Sequence, residues 1–252
     1  MPRKAREKSS TGIYHIMLRG IDGRNIFLDK EDKEIFLKKL LEIKDKVNFK
    51  LYGYCLMDNH IHLLLGESEE IGTTMKRITV AYVHWNNNKY GRTGHLFQNR
   101  YLSEPVETEK YLLAVLRYIH RNPIAAGLDK DLEGYPWSSH NQYIAMYEQG
   151  KTDVNGHLIT AYLKDCNEYI DFMNQEDHHQ YLEHNPAKKY TDQALYNFIQ
   201  KEYRADLMEL DLKERNKQIQ EMYKVTGVSM RQLGRVLGVG KGVIEAALRQ
   251  DK

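Results

Sequence analysis

The stretch from Tyr52 to Leu65, YGYCLMDNHIHLLL, constrains the fold more than any other part of the chain. Its apolar residues predict either one strand or two strands separated by the polar break at Asp58 and Asn59. Within it, His60 and His62 are separated by a single isoleucine, so strand alternation places both imidazoles on one face. Two polar rings in such apolar surroundings are costly unless they have partners. The pair is therefore a candidate set of nitrogen ligands for a divalent ion, although histidines satisfied within a fold are the alternative.

The segments around this stretch alternate between strand-like and helical patterns. A proline disfavours helix in the residue before it, so the last helix of the series should end at Asn122 and Pro123. The order strand, helix, strand, strand, helix, strand, helix predicts an α+β domain that ends near residue 150, with helices packed on an antiparallel or mixed sheet. The predicted elements outside 50–66 are a strand at Gly12–Gly20, helices at Asp29–Val47, Thr73–Asn87 and Glu107–Arg121, and an extended segment at 95–106.

The rest of the chain is predicted to be helical and to fall into two parts, 151–215 and 216–252. An acidic helical linker is expected first, because residues 153–214 contain 13 acids and 6 bases. The last part predicts a helix-turn-helix, with a short helix capped by Ser229, a turn at Leu237-Gly238-Val239 and a second helix that ends at Arg249. A plain helical hairpin is the alternative.

Composition excludes several classes of protein. No apolar run approaches the roughly 20 residues that span a bilayer, and no apolar signal-peptide core follows the basic start of the chain. The two cysteines, Cys55 and Cys166, form no CxxC pair. We therefore expect a cytoplasmic protein without a membrane partner.

Positive charge is concentrated in two segments that flank the acidic one. Residues 71–103 contain five bases and no acid, and their aromatic rings alternate with the cations, as in proteins that stack unpaired bases and hold phosphates. Scattered surface charge and core aromatics are the alternatives. The DNA-binding candidates are Arg77, Trp85, Lys89, Arg92 and Arg100, with Arg231, Arg235 and Lys241 in the helix-turn-helix.

A metal ion beside phosphates suggests phosphoryl transfer, which needs a nucleophile. Tyr118 lies late in the predicted 107–121 helix, four residues before Asn122, so the two side chains should share a face. Tyr111, seven residues earlier, lies on nearly the same face and is the main competitor.

Five motifs together resemble the single-tyrosine HUH transposases, in particular the REP-associated tyrosine transposases. HUH denotes two histidines around a bulky hydrophobic residue, here His60-Ile61-His62. The resemblance covers about residues 11–145, and its motifs are YHIMLRG, YCLMDNHIHLLL, RTGHLFQNRYLS, YLLAVLRYIHRNPIAAGL and YPWSSHNQY.

The resemblance implies a ferredoxin-like catalytic domain at 1–150 in which His60 and His62 bind Mg²⁺ or Mn²⁺, with Asn122 at the position of the third ligand. Tyr118 matches the nucleophile, which attacks hairpin-containing single-stranded DNA and forms a 5′-phosphotyrosine. Rejoining needs no nucleotide cofactor, because the transesterification conserves the bond energy. Both monomers and homodimers that share active sites occur among such enzymes.

Residues 151–252 have no counterpart in the matched motifs, which keeps other functions open. The C-terminal region could add duplex DNA recognition to the transposase. Alternatively, the chain is a helix-turn-helix regulator with an inactive HUH domain, or an HUH replication initiator or relaxase. A nuclease that uses water in place of tyrosine is a mechanistic variant.

Overall fold

The computed structural model describes residues 6–176, 181–182, 192–203 and 210–249. The chain forms two compact units, Met1–His184 and Asn185–Lys252. The first unit contains the predicted sheet, and the α+β, ferredoxin-like prediction is confirmed.

Four strands form the sheet: β1 (Ile13–Arg19), β2 (Lys50–Leu56), β3 (His60–Gly66) and β4 (Leu102–Pro105). Their order is β2-β3-β1-β4, and each neighbouring pair is antiparallel. The polar break at Asp58 and Asn59 therefore separates two strands of a hairpin. Of the segment 95–106, which we expected to be extended, only β4 is a strand.

Three helices cover the two faces of this sheet. Helices α1 (Lys30–Val47) and α2 (Ile71–Lys89) pack against each other, and the Phe36 and Tyr82 rings meet edge to face at 5.2 Å. Asp29 caps α1 by accepting a hydrogen bond from the Asp32 amide. Helix α3 (Glu109–Ala125) packs on β2 and β3, on the face to which His60 and His62 point.

Helix α3 corrects the expectation that Pro123 ends it, because the helix runs through the proline to Ala125. Proline removes one N–H and its bond to the preceding turn. In the last turn that loss is small, and the next amides remain bonded, Ala126 N to Asn122 O at 3.0 Å and Leu128 N to Pro123 O at 2.9 Å. Asn122 therefore stays on the helix, one turn after Tyr118.

Three further helices complete the first unit: α4 (His140–Gln149), α5 (His157–Thr160) and α6 (Cys166–Asn174). Helix α6 packs on both α3 and α4, and Tyr169 stacks on Tyr143 at 5.2 Å in a fully buried cluster. Part of the predicted linker thus belongs to the compact first unit. The division at 150 and 215 into functional domains stays a prediction, since compactness alone does not define function.

The second unit contains α7 (Asp192–Glu202), α8 (Leu212–Thr226), α9 (Met230–Val236) and α10 (Lys241–Arg249). Ser229 caps α9 by accepting from the Gln232 amide, as the sequence suggested. The helices surround their own core, which includes Leu195, Ile219, Met222, Leu233 and Ile244. The two short helices are present, whereas their use as a DNA-binding helix-turn-helix stays a prediction. None of the helices in the described ranges is long and apolar enough to cross a membrane.

Candidate active site

Two elements, β3 and α3, bring the sequence-predicted site residues together. His60 and His62 project from β3 toward α3, where Tyr118 and Asn122 are one turn apart on the facing side. All four side chains line one cavity of about 280 Å³, together with Met17, Arg19, Asn59, Ala125 and Ala126.

His60 joins the strand to the helix. Its Nδ1 lies 2.7 Å from Asn59 Oδ1, and its Nε2 lies 3.0 Å from Asn122 Oδ1. Asn59 Oδ1 and Asn122 Oδ1 both only accept, so a neutral His60 ring can donate to only one of them. In the tautomer that donates from Nδ1 to Asn59, Nε2 carries a lone pair. That lone pair faces a second acceptor, the Asn122 carbonyl oxygen, which is an arrangement that a shared cation would stabilise.

His62 is completely buried behind His60. Its Nδ1 lies 3.0 Å from Nε2 of His15 on β1, and its Nε2 has no hydrogen-bond partner among the described residues. Burial lowers the pKa of His62 well below its usual value, and the neighbouring His15 and His60 lower it further. A neutral ring that donates from Nδ1 to His15 presents its free Nε2 lone pair for coordination.

The donor set fits a divalent metal ion. Around Mg²⁺, adjacent ligand atoms at about 2.1 Å from the ion are about 3.0 Å apart, the separation found between His60 Nε2 and Asn122 Oδ1. The buried lone pair of His62 supplies a third donor. No cluster of three His, Cys, Asp or Glu side chains that could hold a metal occurs in the described ranges, so a three-ligand protein site of this kind depends on the Asn122 amide.

Tyr118 lies beside the imidazoles. Its ring meets His62 edge-on at 5.4 Å and His15 at 5.8 Å between centroids. Its other neighbour is Tyr181, which stacks on it at 4.4 Å. The phenol is therefore held between the sheet and a residue that follows α6 in sequence.

The competing tyrosine, Tyr111, is not among the residues that line the cavity. Burial raises the pKa of Tyr111, and a hydrogen bond with Glu104 raises it further. Since Tyr111 lies outside the cavity that Tyr118 lines, the geometry favours Tyr118.

The predicted DNA-binding residues of α2 and the following loop differ in their surroundings. Arg92 and Arg100 are exposed, whereas Arg77 pairs with Glu69 at 2.9 Å. Trp85 packs against Tyr82 with 5.8 Å between ring centroids.

Lys89 is the most constrained of these residues. Its ammonium lies within 2.8 Å of carboxylate oxygens of Asp29, Glu31 and Asp32, and Asp32 is fully buried. These ion pairs join α2 to the start of α1. A contact between Lys89 and DNA stays a prediction.

In the second unit, Arg231 is exposed at the start of α9. Arg235 forms a two-pronged ion pair with Asp192 of α7, at 2.5 and 2.9 Å. Lys241 pairs with Glu245 one turn along α10, at 2.6 Å. Of these three cations, Arg231 alone forms no ion pair with another described residue. DNA contacts by all three stay predictions.

Sequence reasoning missed His15 and Glu104. His15 lies opposite Leu64 in the β1–β3 register, on the same face as His62, and its Nδ1 is 3.8 Å from a Glu104 oxygen. The histidine in YHIMLRG was a visible signal, but its meaning depends on strand pairing, which the local pattern does not reveal.

Comparison with known proteins agrees with this geometry. A family model described as "Transposase IS200 like" matches residues 8–122, the segment that contains β1 to β4, both histidines, Tyr118 and Asn122. Through this segment, which is less than half of its length, the chain is similar to the IS200-like transposases.

Two solved structures are similar to the chain. One is a REP-associated tyrosine transposase bound to a REP hairpin, with 16% identity and a TM-score of 0.51 over 57% of this chain and 86% of that one. The other is a candidate transposase from Deinococcus radiodurans R1, with 20% identity and a TM-score of 0.35 over 46% of this chain and 95% of that one. Among curated proteins, no relative matches the chain.

Proposed function

We propose that this protein is a DNA transposase, and that it nicks and rejoins single-stranded DNA through a covalent bond between Tyr118 and a DNA phosphate. The observation that carries the proposal is the convergence of Tyr118, His60, His62 and Asn122 on one cavity. A nucleophile and three donor atoms around a common space are the components that phosphoryl transfer requires.

The chemistry is a transesterification. The Tyr118 oxygen attacks the phosphorus, the bond from phosphorus to the 3′ oxygen breaks, and a 5′-phosphotyrosine and a free 3′-hydroxyl result. The phenolic proton is lost as the new bond forms, and the departing 3′ oxygen takes up a proton. Attack by a 3′-hydroxyl on the phosphotyrosine reverses these changes, so the reaction needs no nucleotide cofactor.

His60, His62 and Asn122 are the proposed metal ligands. IS200-like transposases generally use a divalent metal, and the two imidazole nitrogens and the amide oxygen suit Mg²⁺ or Mn²⁺ in an otherwise open site. Such a cation, when bound, supplies positive charge to the attacked phosphate. A phenol with an ordinary pKa near ~10 benefits from that charge at neutral pH. In this proposal Asn59 and His15 accept hydrogen bonds from the two Nδ1 atoms, which leaves both Nε2 lone pairs for coordination.

The proposed substrate is single-stranded DNA with a hairpin. The similar transposase structure contains a REP hairpin, which supports this class of DNA for the present chain. Since one chain supplies all four site residues, we propose that the active site forms within one chain, and the homodimer stays a prediction.

A second DNA contact is proposed for the second unit. Helices α9 and α10 are joined by a short turn, and exposed Arg231 lies at the start of α9. This arrangement favours duplex DNA binding through a helix-turn-helix, with Arg235 and Lys241 as the other candidate contacts.

Covalent capture on a denaturing gel tests the chemistry. Wild type, Tyr118→Phe, Tyr111→Phe and His60→Ala are incubated with labelled hairpin DNA from the flanks of the gene and Mn²⁺. We expect an adduct with wild type and Tyr111→Phe, and none with Tyr118→Phe or His60→Ala. Tyr111→Phe is the matched control, since it removes the same hydroxyl from the same helix.

Other results would assign other functions. Cleaved DNA with free ends and no adduct would indicate a nuclease that uses water. Dependence on an origin-like sequence would indicate a replication initiator or relaxase. Tight duplex binding without cleavage of any flanking hairpin would favour the regulator.

A further inference from the structure

Three side chains form a row behind the candidate active site: His62 on β3, His15 on β1 and Glu104 on β4. His15 is paired directly with Glu104 in the β1–β4 register, and Met17, two residues from His15, is paired with His62. Because directly opposed residues and residues two apart share a face, all three side chains point toward α3. We infer that Glu104 is a positioning residue that acts through His15 to keep the Nε2 lone pair of His62 directed at the metal site; this inference rests on the proposed metal ligands.

The contact between the two histidines holds a single proton. His62 Nδ1 lies 3.0 Å from His15 Nε2, and both side chains are completely buried. Burial lowers the pKa of each ring, so both are neutral at neutral pH and each carries one N–H. In one arrangement His62 donates from Nδ1 and has a lone pair on Nε2. In the other, His15 donates from Nε2, and the hydrogen of His62 lies on its own Nε2. Only the first arrangement offers His62 as a metal ligand.

The Glu104 carboxylate distinguishes these two arrangements. Its Oε2 lies 3.8 Å from His15 Nδ1, which is too far for a hydrogen bond. The negative charge still acts strongly on the ring, because His15 and this oxygen are both buried. In the first arrangement the Nδ1 hydrogen of His15 faces the carboxylate and is attracted to it. In the second, a lone pair faces the carboxylate and is repelled. His15 Nδ1 has no hydrogen-bond partner among the described residues, so no described group opposes this preference.

A metal ion and Glu104 therefore favour the same arrangement from opposite ends of the histidine pair. A cation at His62 Nε2 excludes a hydrogen from that atom, and Glu104 attracts one to His15 Nδ1. Each should stabilise the other through the two rings, and the coupling is reciprocal. The apparent metal affinity is the affinity of the competent tautomer reduced by the fraction in which that tautomer is present. Removal of Glu104 should thus lower the population of the competent tautomer and the metal affinity together.

The test reads the tautomer of His62 in the full-length protein without metal. Ring nitrogen chemical shifts distinguish a protonated from an unprotonated nitrogen, and the signals of His62 are assigned by their loss in His62→Gln. Glu104→Gln removes the charge with little change of shape, and Glu104→Leu also removes the acceptor. Glu109→Gln is the matched control, because it removes the same charge from the exposed start of α3. The Mn²⁺ affinity of each protein is measured by calorimetry, and urea denaturation checks that each is folded.

We expect His62 of wild type to be unprotonated at Nε2. In Glu104→Leu the competent tautomer should fall to about one tenth, and the Mn²⁺ affinity should weaken by about tenfold. Glu104→Gln should lie between the two, since its amide oxygen can still accept. Glu109→Gln should stay within about twofold of wild type in Mn²⁺ affinity and keep the wild-type tautomer.

A second background tests whether the effect passes through His15. His15→Phe removes the ring that joins Glu104 to His62. In the His15→Phe protein, Glu104→Leu should therefore change the Mn²⁺ affinity no further, so the two losses should be strongly non-additive. Additive losses would show that the carboxylate acts on the metal ion directly and would overturn the inference.

The same His62 tautomer in wild type and Glu104→Leu would also overturn the inference, as would a change of tautomer without a matching loss of Mn²⁺ affinity. Absence of Mn²⁺ binding to wild type would overturn both the inference and the proposed ligands. Failure of the proposed strand transfer would look different. Wild type would form no covalent adduct with hairpin DNA, while Glu104→Leu would still shift the tautomer and weaken Mn²⁺ binding, and the role of Glu104 would stand.

Discussion

Substitution of Gly53 by alanine should disturb the packing of α3, the helix that carries the proposed nucleophile Tyr118, against the sheet. A Cβ at residue 53 would lie 2.6 Å from Leu116 Cδ1, a side chain of α3 that is fully buried, and 3.4 Å from Ser139 Oγ. Carbon atoms in ordinary contact are about 3.5–4.0 Å apart, so about 1 Å of displacement is required. If α3 moves off the sheet, Tyr118, two residues beyond Leu116, moves with it.

Two magnitudes follow from this displacement. Overpacking of this kind costs about 1–3 kcal/mol of unfolding free energy. A misplacement of about 1 Å at a reacting group can cost about 10²-fold in rate. We therefore expect Gly53→Ala to lower the denaturation midpoint and to slow adduct formation well beyond the unfolded fraction. The measurements are urea denaturation and single-turnover adduct kinetics at a temperature where both proteins are folded.

A second substitution separates the clash from other effects of the new methyl group. Leu116→Val removes the clashing Cδ1 and alone should cost about 1 kcal/mol. In the double variant, the two losses should be less than additive by about 0.5–3 kcal/mol, with partial recovery of the rate. Gly242→Ala on α10 makes the same change where no atom lies within 4 Å and should cause no loss. Strict additivity, or a Gly53→Ala protein with normal stability and rate, would refute the reasoning.

Three further predictions concern the metal site, pH and the helix junction. Asn122→Ala should weaken Mn²⁺ binding to the Tyr118→Phe protein about 10–100-fold, measured by calorimetry, whereas Asn122→Asp should retain it. Equal Mn²⁺ affinities with and without Asn122→Ala would exclude Asn122 as a ligand. Burial lowers the pKa of His140 from 6.5 to about 4 in the folded protein. As pH falls, the unfolded chain therefore binds a proton at this histidine at a higher pH than the folded protein does. The unfolding free energy should decrease by about 2 kcal/mol from pH 7 to pH 5. His140→Gln should remove that part of the decrease. If the unfolding free energy of the variant depends on pH in the same way as that of wild type, the prediction is wrong. Lys89→Met should lower the melting temperature because the buried Asp32 loses its cation, and a loss of DNA affinity at unchanged stability would instead support the DNA-contact prediction.

Local patterns were sufficient for the parts of the site that lie within one element. Strand alternation places His60 and His62 on one face because the side-chain period of a strand is two. Helical spacing places Tyr118 and Asn122 on one face for the corresponding reason. The sequence also predicted the α+β class, since the order of strand and helix patterns leaves few topologies.

Features that depend on tertiary contacts were not predictable in the same way. The role of His15 requires the β1–β3 register, which brings two strands together that are 47 residues apart at the His15–His62 contact. Lys89 was assigned to DNA from a run of cations in sequence. Only the packing of α1 against α2 reveals that three carboxylates surround it.

The position of Asn122 depends both on the local effect of Pro123 on the helix and on the contact of Asn122 with His60. A helix that ended before Pro123 would leave Asn122 without a fixed direction, because its backbone could leave the helical region. In the structure the final turn persists, and the Asn122 side-chain oxygen lies 3.0 Å from His60 Nε2. The proline removes an amide that would otherwise bond to the preceding turn, and it restricts its own φ near the helical value. The residue that the sequence rule treats as a helix terminator thus helps to fix the geometry that follows it. In the proposed mechanism, β3 supplies two metal donors and α3 supplies the third donor and the nucleophile, so the site depends on the packing of α3 against β2 and β3.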